Sequence, residues 1–113
     1  MSQTELGTYT SRKIEQQMCA AVSNMRYWKD SNTEVSIAES NMPGHTGRWA
    51  VIRLHGHVIA EYSPDRRIGE PALNVNVDTL RQWPSNTTLS RLRALGARVC
   101  RRNHVVHLDG QPL

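Results

Sequence analysis

The sequence is poor in several residue types, and each shortage limits what the protein can be. Its 113 residues include no phenylalanine, only two cysteines, and only two lysines beside 12 arginines. The apolar residues form short runs, none of which approaches the roughly 20 residues that cross a bilayer. Short runs are typical of short strands, and the length predicts one domain over residues 1–113.

The first residues, "MSQTELGTYTSRK", contain no apolar core of the kind that a signal peptide has. We therefore expect a chain that works in the cytosol and does not contact a membrane. Cys19 and Cys100 are then expected to be free thiols, because disulfides are rare in that compartment. Residues 1–10 are polar, and we expect them to form a flexible tail.

Acidic residues are absent from one long stretch of the chain. No acid lies between Asp78 and Asp109, where six of the arginines fall, and the net charge of the chain is +4. Such a segment should carry a positive field that attracts phosphates or acidic surfaces. Arginine suits both ligands because its planar guanidinium donates paired hydrogen bonds. A GC-rich genome would also explain the preference for arginine over lysine.

The hydrophobic periodicity predicts eight elements in the order α-β-β-β-β-α-β-β. The first is an amphipathic helix over residues 11–28 with Ser11 as its N-cap. Its methionine-rich stripe would contact either the sheet or a partner. The remaining segments are a strand at 33–38, a loop at 39–47, a hairpin at 48–62, a loop at 63–71, a strand at 72–78, a helix within 83–95 and a hairpin at 97–108 turning near Arg102 and Asn103.

The hairpin "RWAVIRLHGHVIAEY" (48–62) turns at Gly56, between two strand-like arms. Simple alternation of side chains divides it into two faces. One face is expected to carry Ala50, Ile52, Leu54, Ile59 and Glu61, and the other Trp49, Val51, Arg53, Val58, Ala60 and Tyr62.

The segment "WPSNTTLSRLRAL" (83–95) has the start, stripe and end of a short helix. Ser85, Asn86 and Thr87 are all suitable N-caps, and Gly96 stands where a helix commonly ends. Leu89, Leu92 and Leu95 form one apolar stripe. Arg91 and Arg93 lie at its two edges, where they would either contact nucleic acid or remain solvated beside the helix terminus.

These elements predict an α+β fold, because strands and helices do not alternate one to one. We expect an antiparallel sheet of about six short strands in two hairpin-containing groups. The N-terminal amphipathic helix and the one short helix would pack on this sheet.

No arrangement of residues indicates catalysis, and we expect neither an enzyme nor a cofactor. The acids are scattered, and no nucleophile motif or phosphate-binding loop is present. Cys100, His104 and His107 have a spacing that resembles a zinc site. On a hairpin, however, His104 and His107 point to opposite faces, so no metal site is predicted.

Three stretches, "VIRLHGHVIA" (51–60), "WPSNTTLSRLRAL" (83–95) and "HVVHLDG" (104–110), make the chain resemble a family of small accessory proteins of tailed bacteriophages. The resemblance covers residues 48–108 and leaves the N-terminal helix outside. Gln82, Leu89 and Arg93 depart from the family pattern. The matching positions are Val51, Leu54, His55, Gly56, Ile59, Ala60, Trp83, Thr87, Thr88, Arg91 and Leu92.

The resemblance implies a phage gene product acting in the cytoplasm of a bacterial host. We expect an accessory protein that binds and inhibits a host protein or ribonucleoprotein complex, such as a CRISPR effector. The alternative is a basic nucleic-acid-binding module used in phage replication or regulation, and a homodimer is compatible with both. The candidate partner-binding residues are Arg66, Arg67, Arg91, Arg93, Arg98, Arg101 and Arg102.

Overall fold

The computed structural model describes residues 2–42, 45–64 and 72–113. Within these ranges the chain forms three helices and ten strands. In chain order they are β1 (Ser2–Gln3), β2 (Tyr9–Thr10), α1 (Lys13–Ser23), β3 (Trp28–Asp30), β4 (Thr33–Met42), β5 (His45–Leu54), β6 (His57–Tyr62), β7 (Leu73–Val75), α2 (Val77–Gln82), α3 (Asn86–Leu95), β8 (Val99–Arg102), β9 (Val105–Leu108) and β10 (Gln111–Pro112).

The described strands form three antiparallel sheets instead of the predicted single sheet. The largest has the order β3-β4-β5-β6-β7, the second the order β10-β9-β8, and β1 pairs with β2. Mixed helix and antiparallel sheet agree with the predicted α+β class, but the number and layout of the strands differ. One difference lies in residues 2–10, expected to be a tail. They form the β1–β2 hairpin, and the Thr8 hydroxyl donates to the Ala94 carbonyl at 2.5 Å.

The predicted loop at 39–47 is wrong in its described part, where β4 and β5 continue as a long hairpin. Ala38 lies opposite Trp49, and Ser40 lies opposite Gly47. A proline, two glycines and the lack of apolar periodicity predict a loop over this segment. Backbone pairing satisfies the N–H and C=O groups whatever the side chains are, so polar residues extend this ribbon beyond the core.

A β-bulge corrects the predicted faces of the β5–β6 hairpin. Ile52 lies opposite Ala60, but Arg53 lies opposite Val58, so Ile59 is an extra residue in β6. Ala60 therefore shares the face of Ile52, whereas simple alternation placed it on the other face. The extra Ile59 carbonyl accepts a hydrogen bond from the backbone N–H of Asn76 at 2.9 Å. The bulge thus ties β6 to the start of α2.

Helix α2 was not expected, because residues 72–78 alternate as a strand does. The strand ends at Val75, and the Asn76 side chain then accepts a hydrogen bond from the Thr79 N–H at 3.1 Å. This N-cap starts the helix at Val77. Leu80 anchors the helix in the core with 1% of its surface exposed.

Helix α1 is shorter than the predicted span of 11–28. It ends at Ser23, Met25 takes a left-handed backbone conformation with φ +49°, and Trp28 begins β3. The predicted N-cap, Ser11, is replaced by Arg12, whose side chain makes no capping bond. The Thr10 hydroxyl instead accepts a hydrogen bond from the Arg12 N–H at 3.2 Å.

Helix α3 agrees with the prediction from the sequence. The Ser85 hydroxyl accepts a hydrogen bond from the Thr88 N–H at 3.1 Å, and Gly96 ends the helix with φ +109°. Leu92 is fully buried, and Leu89 and Leu95 are at most 3% exposed. The stripe joins a core that includes Met18, Cys19, Val22, Val35, Ile52 and Ile59. No described helix is long and apolar enough to cross a membrane.

Candidate functional site

A groove of about 700 Å³ lies where three parts of the fold meet. Its walls are the β5–β6 turn, the link between α2 and α3, and the β8–β9 hairpin. The buried side chains of Leu54, Ile59 and Val106 supply apolar surface. The volume falls within the roughly 300–1,000 Å³ that is typical of ligand sites.

Local sequence explains two of these walls. His55 and Gly56 both have positive φ, +53° and +81°, which suits a two-residue hairpin turn. In the second wall, Trp83 is the C-cap of α2 and Ser85 is the N-cap of α3, with Pro84 between them. A residue before proline is biased away from helical conformation. Helix α2 therefore ends before Trp83, and α3 begins after its N-cap, Ser85.

The aromatic side chains of the groove come from two different walls. The rings of Trp83 and His57 stack with a centroid distance of 4.0 Å and an interplanar angle of 25°. Trp83 is nevertheless 47% exposed. A large aromatic ring that is held in place and left accessible is typical of a binding surface.

The groove has a positive character. Among the described residues that line it, none is an acid, while Arg101 and three histidines, His55, His57 and His104, contribute cationic or polar groups. The Arg101 guanidinium donates to the Pro84 carbonyl, beside Trp83. Helix α3 also begins at this wall, and the N-terminus of a helix carries partial positive charge. An anionic ligand is therefore favoured.

The predicted arginine patch is divided by the structure. Arg101 lines the groove, whereas Arg102 follows it in β8 and so points to the opposite face of the strand. Arg98 is exposed, and so is Arg93, whose Nε donates to the Val99 carbonyl at 2.9 Å. Arg66 and Arg67 lie outside the described residues.

Arg91 does not belong to any exposed surface, contrary to its predicted place at the edge of the helix stripe. It is 4% exposed, and its guanidinium lies 2.7 Å from the carboxylate of Glu15 in α1. Its Nε also donates to the Thr33 hydroxyl at 3.1 Å. This edge of α3 faces α1 and β4 instead of solvent, so Arg91 is a structural residue here and is not available to a partner.

Glu15 is held ionised by its neighbours. Burial alone would raise its pKa, but hydrogen bonds from Ser90 and Thr10, with the bond and charge of Arg91, bring the pKa below its ordinary value. The Ser90 and Thr10 hydroxyls donate at 2.5 and 2.6 Å. The whole network lies in the core between helices and therefore supports the fold, not a ligand.

Neither cysteine lines the groove that contains His55, His57 and His104. Cys19 is buried, its thiol donates to the Ala94 carbonyl at 3.2 Å, and burial raises its pKa to about 11. Cys100 lies opposite His107 in the β8–β9 ladder, while His104 lies at the groove. No described group of three or more histidine, cysteine or acidic residues is placed to hold a metal ion.

The pairing of His57 with Trp83 is the feature that sequence reasoning missed. The two residues are 26 positions apart, and each has an ordinary local role, in a strand and at a helix end. The available signal was the position of Trp83 directly before Pro84, outside the stripe of Leu89, Leu92 and Leu95. A tryptophan there has no place in the apolar face of α3.

Comparison with known proteins adds one match. No curated protein and no solved structure matches the chain. A family model described as Kyanoviridae Gp96 protein matches residues 11–113. This match is wider than the region of 48–108 on which the resemblance was based, and it includes helix α1. It confirms the expectation of a small phage protein family, and the chain belongs to the Kyanoviridae Gp96 family.

Proposed function

We propose that this phage protein is a non-enzymatic nucleic-acid-binding protein that acts in the cytoplasm of the bacterial host. The observation that carries the proposal is the groove in which an accessible tryptophan lies near an arginine and in which none of the described lining residues is acidic. Stacking surfaces combined with cationic groups are how proteins bind nucleic acid without reading its sequence. The exposed arginines Arg98 and Arg102 add to the positive field.

Titration of labelled single-stranded DNA, duplex DNA and RNA at two salt concentrations tests this function. We expect binding that weakens steeply with salt, because neutralised phosphates release their counterions. Arg98→Glu should weaken binding. Arg48→Glu is the matched control, because it makes the same charge change on the exposed end of β5. Absence of binding to every nucleic acid at low salt would refute the proposal.

A second candidate function is binding and inhibition of a host protein or ribonucleoprotein complex, with host-defence machinery as the target class. Membership of a phage family and the exposed arginines support it, since arginine also pairs with surface carboxylates. The burial of Arg91 removes one cation from the surface that is available to either candidate function.

Affinity capture from a host lysate, with and without nuclease treatment, separates the two functions. Inhibition predicts a host protein that is retained after nuclease treatment and whose activity falls when the purified phage protein is added. Nucleic-acid binding predicts that the captured material disappears with nuclease. Arg98→Glu serves as the binding-deficient variant in both arms.

A further inference from the structure

We propose that the groove beside Trp83 receives one unpaired base of a single-stranded nucleic acid and that Arg101 binds the adjoining phosphate. This inference rests on the proposed nucleic-acid function. Beyond that function, it specifies the groove as the site, a single strand as the ligand, and separate roles for Trp83 and Arg101.

The base would use the surface that Trp83 leaves open. Pro84 follows Trp83 and restricts its backbone, and the ring of His57 stacks on the indole. Even so, 47% of the surface of Trp83 is accessible. A ring that is already ordered loses little conformational freedom when a base stacks on it. Every base has a flat π face, so this contact tolerates any sequence.

The phosphate would use the charged side of the same groove. One N–H group of the Arg101 guanidinium donates to the Pro84 carbonyl. The guanidinium has no other partner among the described residues. The bond holds the guanidinium at the residue that follows Trp83, and both side chains line the groove. The N-terminal turn of α3, where Ser85 and Thr88 line the groove, adds partial positive charge on the same wall.

An exposed indole near an arginine favours a single-stranded nucleic acid over a duplex or an acidic peptide as the ligand. In a duplex, each base is covered above and below by its neighbours, so its face is not open to Trp83. An acidic peptide would match Arg101 but would leave the indole and the apolar surface of Leu54, Ile59 and Val106 unused. An unpaired nucleotide has one flat apolar part and one anionic part, as the groove has.

Nuclear magnetic resonance of the indole N–H groups gives a direct test on the unaltered protein. The chain has three tryptophans, Trp28, Trp49 and Trp83, and only Trp83 lines the groove. During titration with an oligothymidylate of about 12 nucleotides, a length within the usual site size, we expect the Trp83 signal to shift most. Trp28 and Trp49 are internal controls, and Trp83→Leu assigns the signal.

Affinity measurements on variants form the second test. Trp83→Leu keeps an apolar side chain but removes the π face, and it should weaken oligothymidylate binding roughly 5- to 150-fold, the range of one base–aromatic stack. Arg101→Gln should lower the slope of log K against log salt by about 0.7, the contribution of one phosphate of a single strand. Arg102→Gln removes the same charge from the opposite face of β8 and should change the slope less.

The outcomes separate this inference from the function on which it rests. If oligothymidylate binds but the Trp83 signal does not move and Trp83→Leu binds equally well, the groove site is refuted and the function stands. If no nucleic acid binds at low salt, both fail. Equal affinity for the matched duplex, or displacement of the strand by polyglutamate at equal charge concentration, would also overturn the inference. Thermal melting checks that each variant is folded.

Discussion

Replacement of Arg91 by methionine should destabilise the fold strongly, because it leaves the carboxylate of Glu15 buried without its cation. Glu15 is 2% exposed and Arg91 is 4% exposed, and their charged atoms are 2.7 Å apart. The hydroxyls of Ser90 and Thr10 still donate to Glu15 in the variant, but they carry no charge. The Thr33 hydroxyl also loses its donor.

The size of the effect follows from the burial of the pair. Removal of one partner from a buried ion pair costs about 3–5 kcal/mol, because the remaining charge is uncompensated. A domain of ordinary stability has only about 5–15 kcal/mol in total. We therefore expect Arg91→Met to lose a large part of its free energy of unfolding. Glu15→Gln should partly rescue it, because the neutral amide needs no cation.

Urea denaturation of the four proteins of this double-mutant cycle measures the coupling between Glu15 and Arg91. Arg98→Met is the matched control, since it removes an exposed arginine and should change the stability by no more than about 0.5 kcal/mol. If Arg91→Met unfolds at the same urea concentration as Arg98→Met, or if the cycle shows no coupling, then Arg91 is not the buried structural cation described above.

The Glu15–Arg91 pair also predicts how the stability of the protein depends on pH. The folded-state pKa of Glu15 lies below its ordinary value of 4.5, so its ionised form is favoured by folding. This contribution to stability is complete above about pH 4.5 and is lost as the pH falls through the lower, folded-state pKa. Urea midpoints measured from pH 7 to pH 3 should fall more steeply below pH 4.5 for the wild-type protein than for Glu15→Gln. Parallel profiles would contradict the assignment.

Three further predictions concern local structure. Leu92→Ala should lower the free energy of unfolding, measured by urea denaturation, by about 2–5 kcal/mol, as for other buried leucines. Arg93→Ala should lower it by about 1 kcal/mol or less, because the variant loses one hydrogen bond. Gly96→Ala should lower the free energy of unfolding by about 1–2 kcal/mol in the same assay, because an alanine is strained at a φ of +109°. A steric clash would not contribute, since the atom nearest to a new Cβ is 3.9 Å away. Cys19 should resist a thiol reagent at pH 8 until the protein unfolds, because it is fully buried with a pKa of about 11; mass spectrometry should find Cys100, which is partly exposed, labelled first.

The sequence alone determined the elements whose signals are local. Helix α3 follows from three adjacent candidate N-caps at 85–87, a leucine stripe and Gly96, all within twelve residues, and in the structure Ser85 caps the helix and Gly96 ends it. The β5–β6 hairpin likewise follows from two β-rich arms and a turn at Gly56. Caps and tight turns are fixed by the chemistry of neighbouring residues, so the printed order of residues is enough to find them.

The tertiary structure decided the features that depend on distant partners. Periodicity put Arg91 at the edge of a stripe, but whether an edge meets solvent depends on what packs there, and Glu15 lies 76 positions away. The bulge at Ile59 reversed the face of Ala60 because one extra residue changes the register. The groove exists only because the fold brings His57, Trp83 and Arg101 together from three separate elements. A side chain's exposure is set by long-range packing, which a local pattern does not contain.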